Sequence, residues 1–328
     1  MKKLICITLA IIFIGGIILN AQETVNLDTL ETRGPGSYQI LTNDTNPIRI
    51  PFKMHKGKPL MELEINGEKA KMMIDNGVLW DQIWLFGSPL VNLLDLKPLE
   101  DGTIGGTGEG DPTQAYTSND LTLKFKDIIF FEQPVLVSPP AAGFARMFPG
   151  ADGQLCNTFF KHFIVEFDFM KNEVILHNPK QFKNTGECTL NMCANESGTY
   201  SVPFTFTMLD GKTYKDMVDI DFGGIYPLKI ALNNKYDIQL PTESKETSSY
   251  GAQGKSSEFR GKIESMKIGK YQFDDPTVIF GDEKTSRIDP DNLGVIGLPL
   301  FMKFNITFDY FNNNIYLVPN NNFDNQFN

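Results

Sequence analysis

Apolar residues in this chain come in short runs, many of them alternating with polar residues, and the runs are bounded by Gly, Pro, Asn or Asp. Leu60 to Ile65, Leu121 to Phe125, Ile128 to Val137, Phe163 to Phe167 and Val174 to Leu176 are of this kind. Successive side chains of an extended backbone point to opposite faces, so the short period predicts strands rather than helices. Asn66-Gly67 predicts a two-residue hairpin turn, and Lys171-Asn172 marks another turn. The expectation is an all-β protein.

The strands are laid down twice. Ile50-Pro51-Phe52 recurs as Val202-Pro203-Phe204, 152 positions later. Met73-Ile74-Asp75-Asn76-Gly77 has its partner in Ile220-Asp221-Phe222-Gly223, and Gly105 and Gly108 in Gly251 and Gly254, all at an offset of 146. Phe160, Phe163, Phe167, Asp168, Asn172 and Leu176 recur at 141 as Phe301, Phe304, Phe308, Asp309, Asn313 and Leu317. The order is kept while the offset drifts slowly, as loop-length changes in a duplicated domain would produce. Two homologous halves follow, residues 50–180 and 200–320, with a polar lead-in over 22–49, a linker over 181–199 and a C-terminal tail over 321–328.

Lys2-Lys3, an apolar run from Leu4 to Leu19 and then Asn20-Ala21 read as a signal peptide over residues 1–21, cleaved after Ala21. Export to the periplasm or the medium is expected, with no membrane association after cleavage. The net charge of −10 and the lack of any Lys/Arg cluster argue against nucleic acid and for a peptide or protein partner. Cys188 and Cys193 are close enough for a small-loop disulfide in an oxidising compartment, and Cys156 reads as a buried small residue. Three His residues without ligand spacing point to no metal, and nothing points to a cofactor.

Each half resembles a lobe of the retropepsin-like aspartic proteases, in the form of a bacterial, exported, two-lobed single chain. The first half carries Ile74-Asp75-Asn76-Gly77, then Ile104-Gly105-Gly106-Thr107-Gly108, Gly153-Gln154-Leu155-Cys156 and a closing hairpin from Phe163 to Leu176. The second carries Ile220-Asp221-Phe222-Gly223, Tyr250-Gly251-Ala252-Gln253-Gly254, Gly294-Val295-Ile296-Gly297 and Phe304 to Leu317. The resemblance implies two retropepsin/pepsin-like acid-protease lobes about a pseudo-two-fold axis, with Asp75 and Asp221 as a catalytic dyad. Asn76, Gly77, Phe222 and Gly223 would form its supporting loops. Gly105, Gly106, Gly108, Gly251 and Gly254 would form flap tips over the substrate. One chain would supply both halves, so a monomer is expected.

Two carboxylates held together share one proton, so one can take a proton from water while the other donates to a carbonyl oxygen. The chain departs from the family where a Thr or Ser hydroxyl should follow each Asp: Asn76 and Phe222 stand there. Phe cannot donate, so Phe222 reads as a brake, and Phe222→Thr as a change that restores the cross-dyad donor. Gln154 and Cys156 are further departures. The alternative is a weak or inactive protein of this fold that binds extended peptides or other ligands between its lobes. Asp168 and Asp309, each just before a turn, read as structural.

Overall fold

The computed structural model describes residues 36–43, 47–77, 83–86, 88–104, 107–138, 148–184, 186–194, 199–232, 235–251, 253–282 and 291–327. The expected cleavage site at Ala21 and the glycines Gly105 and Gly106 lie outside them. The described residues form a 14-stranded and a 10-stranded sheet, with a single turn of α-helix at Leu298–Phe301 and a 3-10 turn at Pro89–Leu93. None of their helices is long and apolar enough to cross a membrane.

Both halves repeat one arrangement around their Asp. Strand Glu68–Ile74 runs parallel to Gly153–Leu155, with Ile74 opposite Leu155. Strand Thr213–Asp221 runs parallel to Gly294–Gly297, with Ile220 opposite Ile296. In each half the strand after the Asp, Ile83–Phe86 or Leu228–Leu232, lies antiparallel to the Gly-led strand. Ile83–Phe86 and Gly294–Gly297 are buried at every position. Strands covered on both faces are apolar throughout instead of alternating.

The two closing hairpins join the lobes. Strand Ile164–Asp168 pairs antiparallel with Phe304–Asp309, and Glu166 lies opposite Thr307. Those two residues are separated by the same 141 positions that relate Phe167 to Phe308, so each faces its own repeat equivalent. The pseudo-two-fold axis therefore passes between them. Asp168 accepts from the backbone N–H of Met170 and Lys171, and Asp309 from that of Asn312, so both cap their turns.

Segment 181–199 contains two strands. Cys188–Asn191 pairs with Asn314–Pro319, and Cys193–Ala194 pairs with Tyr200–Thr207 in the other sheet. This placement corrects the expected disulfide. Cys188 lies opposite Leu317 and Cys193 opposite Ser201, the strands draw them to different sheets, and both are free thiols. The lead-in contributes Tyr38–Ile40, which pairs with Ile128–Phe130.

Candidate active site

Asp75 and Asp221 emerge at equivalent ends of their strands, and their loops interlock. Gly77 N–H donates to Asp75 Oδ1 at 3.1 Å, and Gly223 N–H to Asp221 Oδ1 at 2.6 Å. A Cβ on Gly77 would stand 2.5 Å from Asp221 Oδ1, and one on Gly223 would stand 2.4 Å from Asp75 Oδ2. Each loop's glycine thus lies against the other loop's carboxylate, an approach that no side chain permits. The two carboxyl groups lie close enough to act on each other electrostatically.

Burial of Asp75, and then the nearby charge of Asp221, push its carboxyl up to about 7. The Lys58 ammonium and the Gly77 N–H pull in the other direction without cancelling the rise. Lys58 is itself buried, with its ammonium 4.5 Å from the centre of the Phe148 ring.

The residues after the two Asp differ in chemistry, and the structure assigns each a contact. Asn76 Oδ1 accepts from Phe222 N–H at 3.0 Å, so one hydrogen bond still crosses between the loops. The Phe222 side chain is fully buried, with ring centres 4.8 Å from Phe167, 5.3 Å from Phe301 and 5.3 Å from Phe308. Phe167 and Phe308 belong to the two paired closing strands. Phe222 therefore plugs its loop into the interlobe sheet by aromatic packing, and the empty half of the cross-dyad pair is filled by a different kind of contact. Gln154 is fully buried with both amide atoms unpaired among the described residues, and Cys156 is buried as expected.

The glycine-rich tips belong to two hairpins, Lys97–Ile104 with Thr113–Phe125, and Lys245–Gly251 with Gly254–Lys262. The tips meet. Gln253 N–H donates to Thr107 O at 2.9 Å, Gly110 N–H to Gln253 O at 2.7 Å and Glu109 N–H to Lys255 O at 2.9 Å. Ser257 N–H donates to Glu109 Oε1 at 2.7 Å and Gln253 Nε2 to Gly110 O at 2.7 Å. A Cβ on Gly108 would come within 2.5 Å of the Gln253 backbone, and one on Gly251 would collide with Thr107. Gly108 and Gly254 are repeat equivalents, so this contact is a further meeting of equivalent segments across the pseudo-two-fold. Gly254, at φ +92°, takes a left-handed conformation at its tip.

No protein-family model matches the chain, and no curated protein matches it. Among solved structures, the crystal structure of an aspartic proteinase from Irpex lacteus superposes with a TM-score of 0.53 at 12% identity, covering 86% of this chain and 100% of that one. This chain has the two-lobed, pepsin-like aspartic proteinase fold. Basic 7S globulin from soybean is also similar, with a TM-score of 0.46 at 9% identity over 84% of this chain and 95% of that one.

Within this aspartic proteinase fold, sequence motifs alone missed four residues near the two aspartates. Tyr226, Lys229 and Glu258 lie on the second-lobe side, and Lys58 on the first. The repeat could not point to them, because equivalent positions have diverged: by register, Trp84 stands where Lys229 does. Trp84 packs in an apolar cluster with Met73, Phe86, Leu136 and Phe148, whereas Lys229 forms an ion pair. The two lobes thus present chemically different faces on either side of one pair of carboxylates.

Proposed function

We propose that the chain is an exported aspartic endopeptidase of the retropepsin-like kind, hydrolysing peptide bonds with water activated by Asp75 and Asp221. The observation that carries this reading is the interlocking of the two loops, in which each glycine lies against the opposite carboxylate. One carboxylate removes a proton from the water as its oxygen bonds to the scissile carbonyl carbon, and the other donates a proton to the carbonyl oxygen. The tetrahedral intermediate then collapses. The C–N bond breaks as the departing nitrogen takes the proton that came from water, and the gem-diol hydroxyl gives its proton back to the other carboxylate, so the dyad again holds one proton.

The substrate is a peptide or protein strand lying extended between the lobes and hydrogen-bonding to strand edges. The hydrogen-bonded tips have to part for it to enter. The enzyme acts as a monomer in the periplasm or outside the cell, its mature form beginning near Gln22. The test is cleavage of a mixed peptide library by the mature protein across pH, with and without pepstatin. Cleavage abolished by pepstatin supports the reading. A protein inert at every pH that still binds peptides overturns it in favour of a binding protein.

A further inference from the structure

Tyr226, outside both repeated motifs, touches the dyad. Its hydroxyl donates to Asp221 Oδ2 at 3.4 Å. The ring reaches that position by folding back over its own loop: a Cβ on Gly224 would stand 2.7 Å from Tyr226 Cζ and 2.9 Å from its oxygen. A side chain at position 224 would therefore displace the ring. Lys229 Nζ lies 4.7 Å from the ring centre. Lys229 in turn pairs with Glu258 at 2.6 Å, with side chains 4% and 2% exposed, and Ser249 Oγ donates to the same Glu258 oxygen at 2.8 Å. The ring face attracts the ammonium, and the buried ion pair holds the ammonium in place, so the Lys229 and Gly224 contacts together locate Tyr226.

The two carboxyl groups consequently have different surroundings. Asp221 accepts from Gly223 N–H on one oxygen and from the Tyr226 hydroxyl on the other. Asp75 accepts from Gly77 N–H at 3.1 Å, longer than the Gly223 contact and shorter than the Tyr226 contact, and has no second donor beside it among the described hydrogen bonds. Donors aimed at a carboxylate favour its charged form, and burial without them favours the neutral one. The Lys58 charge acts in the opposite sense on Asp75 and is outweighed by burial. Burial, reinforced by the charges of Asp221, Glu258 and Asp75, raises the Tyr226 phenol well above its ordinary value, which keeps it a donor.

Building on the proposed peptidase reading, we infer that Tyr226 is a positioning residue that holds Asp221 as the ionised member of the dyad and leaves the shared proton on Asp75. Asp221 then takes the proton from water, and Asp75 protonates the scissile carbonyl oxygen.

Tyr226→Phe tests this, because it keeps the ring over Gly224 and against Lys229 and deletes only the hydroxyl. Two measurements are made on wild type and variant: the pH profile of kcat/KM on a cleaved peptide, and a carboxyl carbon NMR titration assigned with Asp75→Asn and Asp221→Asn. The expected result is a roughly tenfold fall in kcat with KM nearly unchanged, together with an upward move of about one pH unit in the acid limb and in the Asp221 resonance. Replacing Tyr226 by 3-fluorotyrosine, a more acidic donor of similar size, should move both in the opposite direction. An acid limb and an Asp221 resonance that stay put in both variants overturn the inference, even if the rate falls. If wild type cleaves nothing, the peptidase reading fails by itself, and the NMR titration still decides what Tyr226 does to Asp221.

Discussion

At Asp75 a buried carboxyl keeps its proton up to about pH 7, while in the unfolded chain it would lose it near 3.8. Between those values the folded state binds the extra proton, so the stability this group contributes is complete below pH 3.8 and is lost as pH rises through 7. Thermal melts should therefore show a decline in Tm from pH 4 to pH 7 that Asp75→Asn flattens, the difference being on the order of 2–4 kcal/mol. The proposed mechanism needs one proton on the pair, so peptidase activity should also fall away above about pH 7. Asp75→Asn and Asp221→Asn should each abolish cleavage with the fold retained by circular dichroism. In the proposed mechanism the pair works as a unit, so the double variant should be scarcely worse than either single one. At Phe222 the buried aromatic packing leads to the opposite expectation from the missing hydroxyl. Phe222→Thr would empty an aromatic pocket against Phe167, Phe301 and Phe308, costing roughly 3–5 kcal/mol in urea unfolding, which outweighs a regained hydrogen bond of about 1 kcal/mol. Lower activity and a lower urea midpoint are expected, whereas higher activity at unchanged stability would show that Phe222 is only a brake.

Among the elements, the second hairpin is anchored midway along its strands and engaged at its tip. Glu258 on one of its strands pairs with Lys229 on the strand after the dyad loop, and Ser249 on the other strand donates to Glu258. Removing one partner strands a buried charge, so Lys229→Met should destabilise by about 3–5 kcal/mol, and adding Glu258→Leu should recover most of that loss. Equilibrium unfolding of the two variants decides the matter, and a double variant no more stable than the single one would contradict the account. At the tip, Glu109 lies lower than an ordinary Glu in its titration because it accepts from Ser257, backbone first. Glu109→Ala removes that charge-assisted contact and should speed amide hydrogen exchange at residues 107–110 and 253–257 while leaving the closing strands protected. Unchanged exchange at the tips would mean that the backbone hydrogen bonds alone hold them.

Across the whole molecule, equivalent segments of the two halves meet at the closing strands, at the dyad loops and at the hairpin tips. Since all of these lie within one chain, the rate of cleavage should rise in direct proportion to enzyme concentration down to the lowest assayable level. A rate that falls off with the square of dilution would show that two chains are needed. The duplication was readable from residue order alone, because Asp75 and Asp221 keep their offset of 146 and Phe167 and Phe308 keep theirs of 141. Asp168 and Asp309 were readable as turn caps for the same local reason. The boundaries of the linker were less clear, since a two-residue strand such as Cys193–Ala194 carries too short a period to stand out.

The sequence by itself determined the β character, the two halves and the two aspartates, because strand period, turn chemistry and repeat order are properties of neighbouring residues and of their sequence. Tertiary structure alone decided how the two halves work on each other. The aromatic pocket around Phe222, the separation of Cys188 from Cys193, the joined tips, and the line from Glu258 through Lys229 and Tyr226 to Asp221 depend on side chains that become neighbours only after the chain has folded. In such places burial and charge, acting over a few ångströms in space, set the chemistry of a residue whose sequence context carries no trace of it.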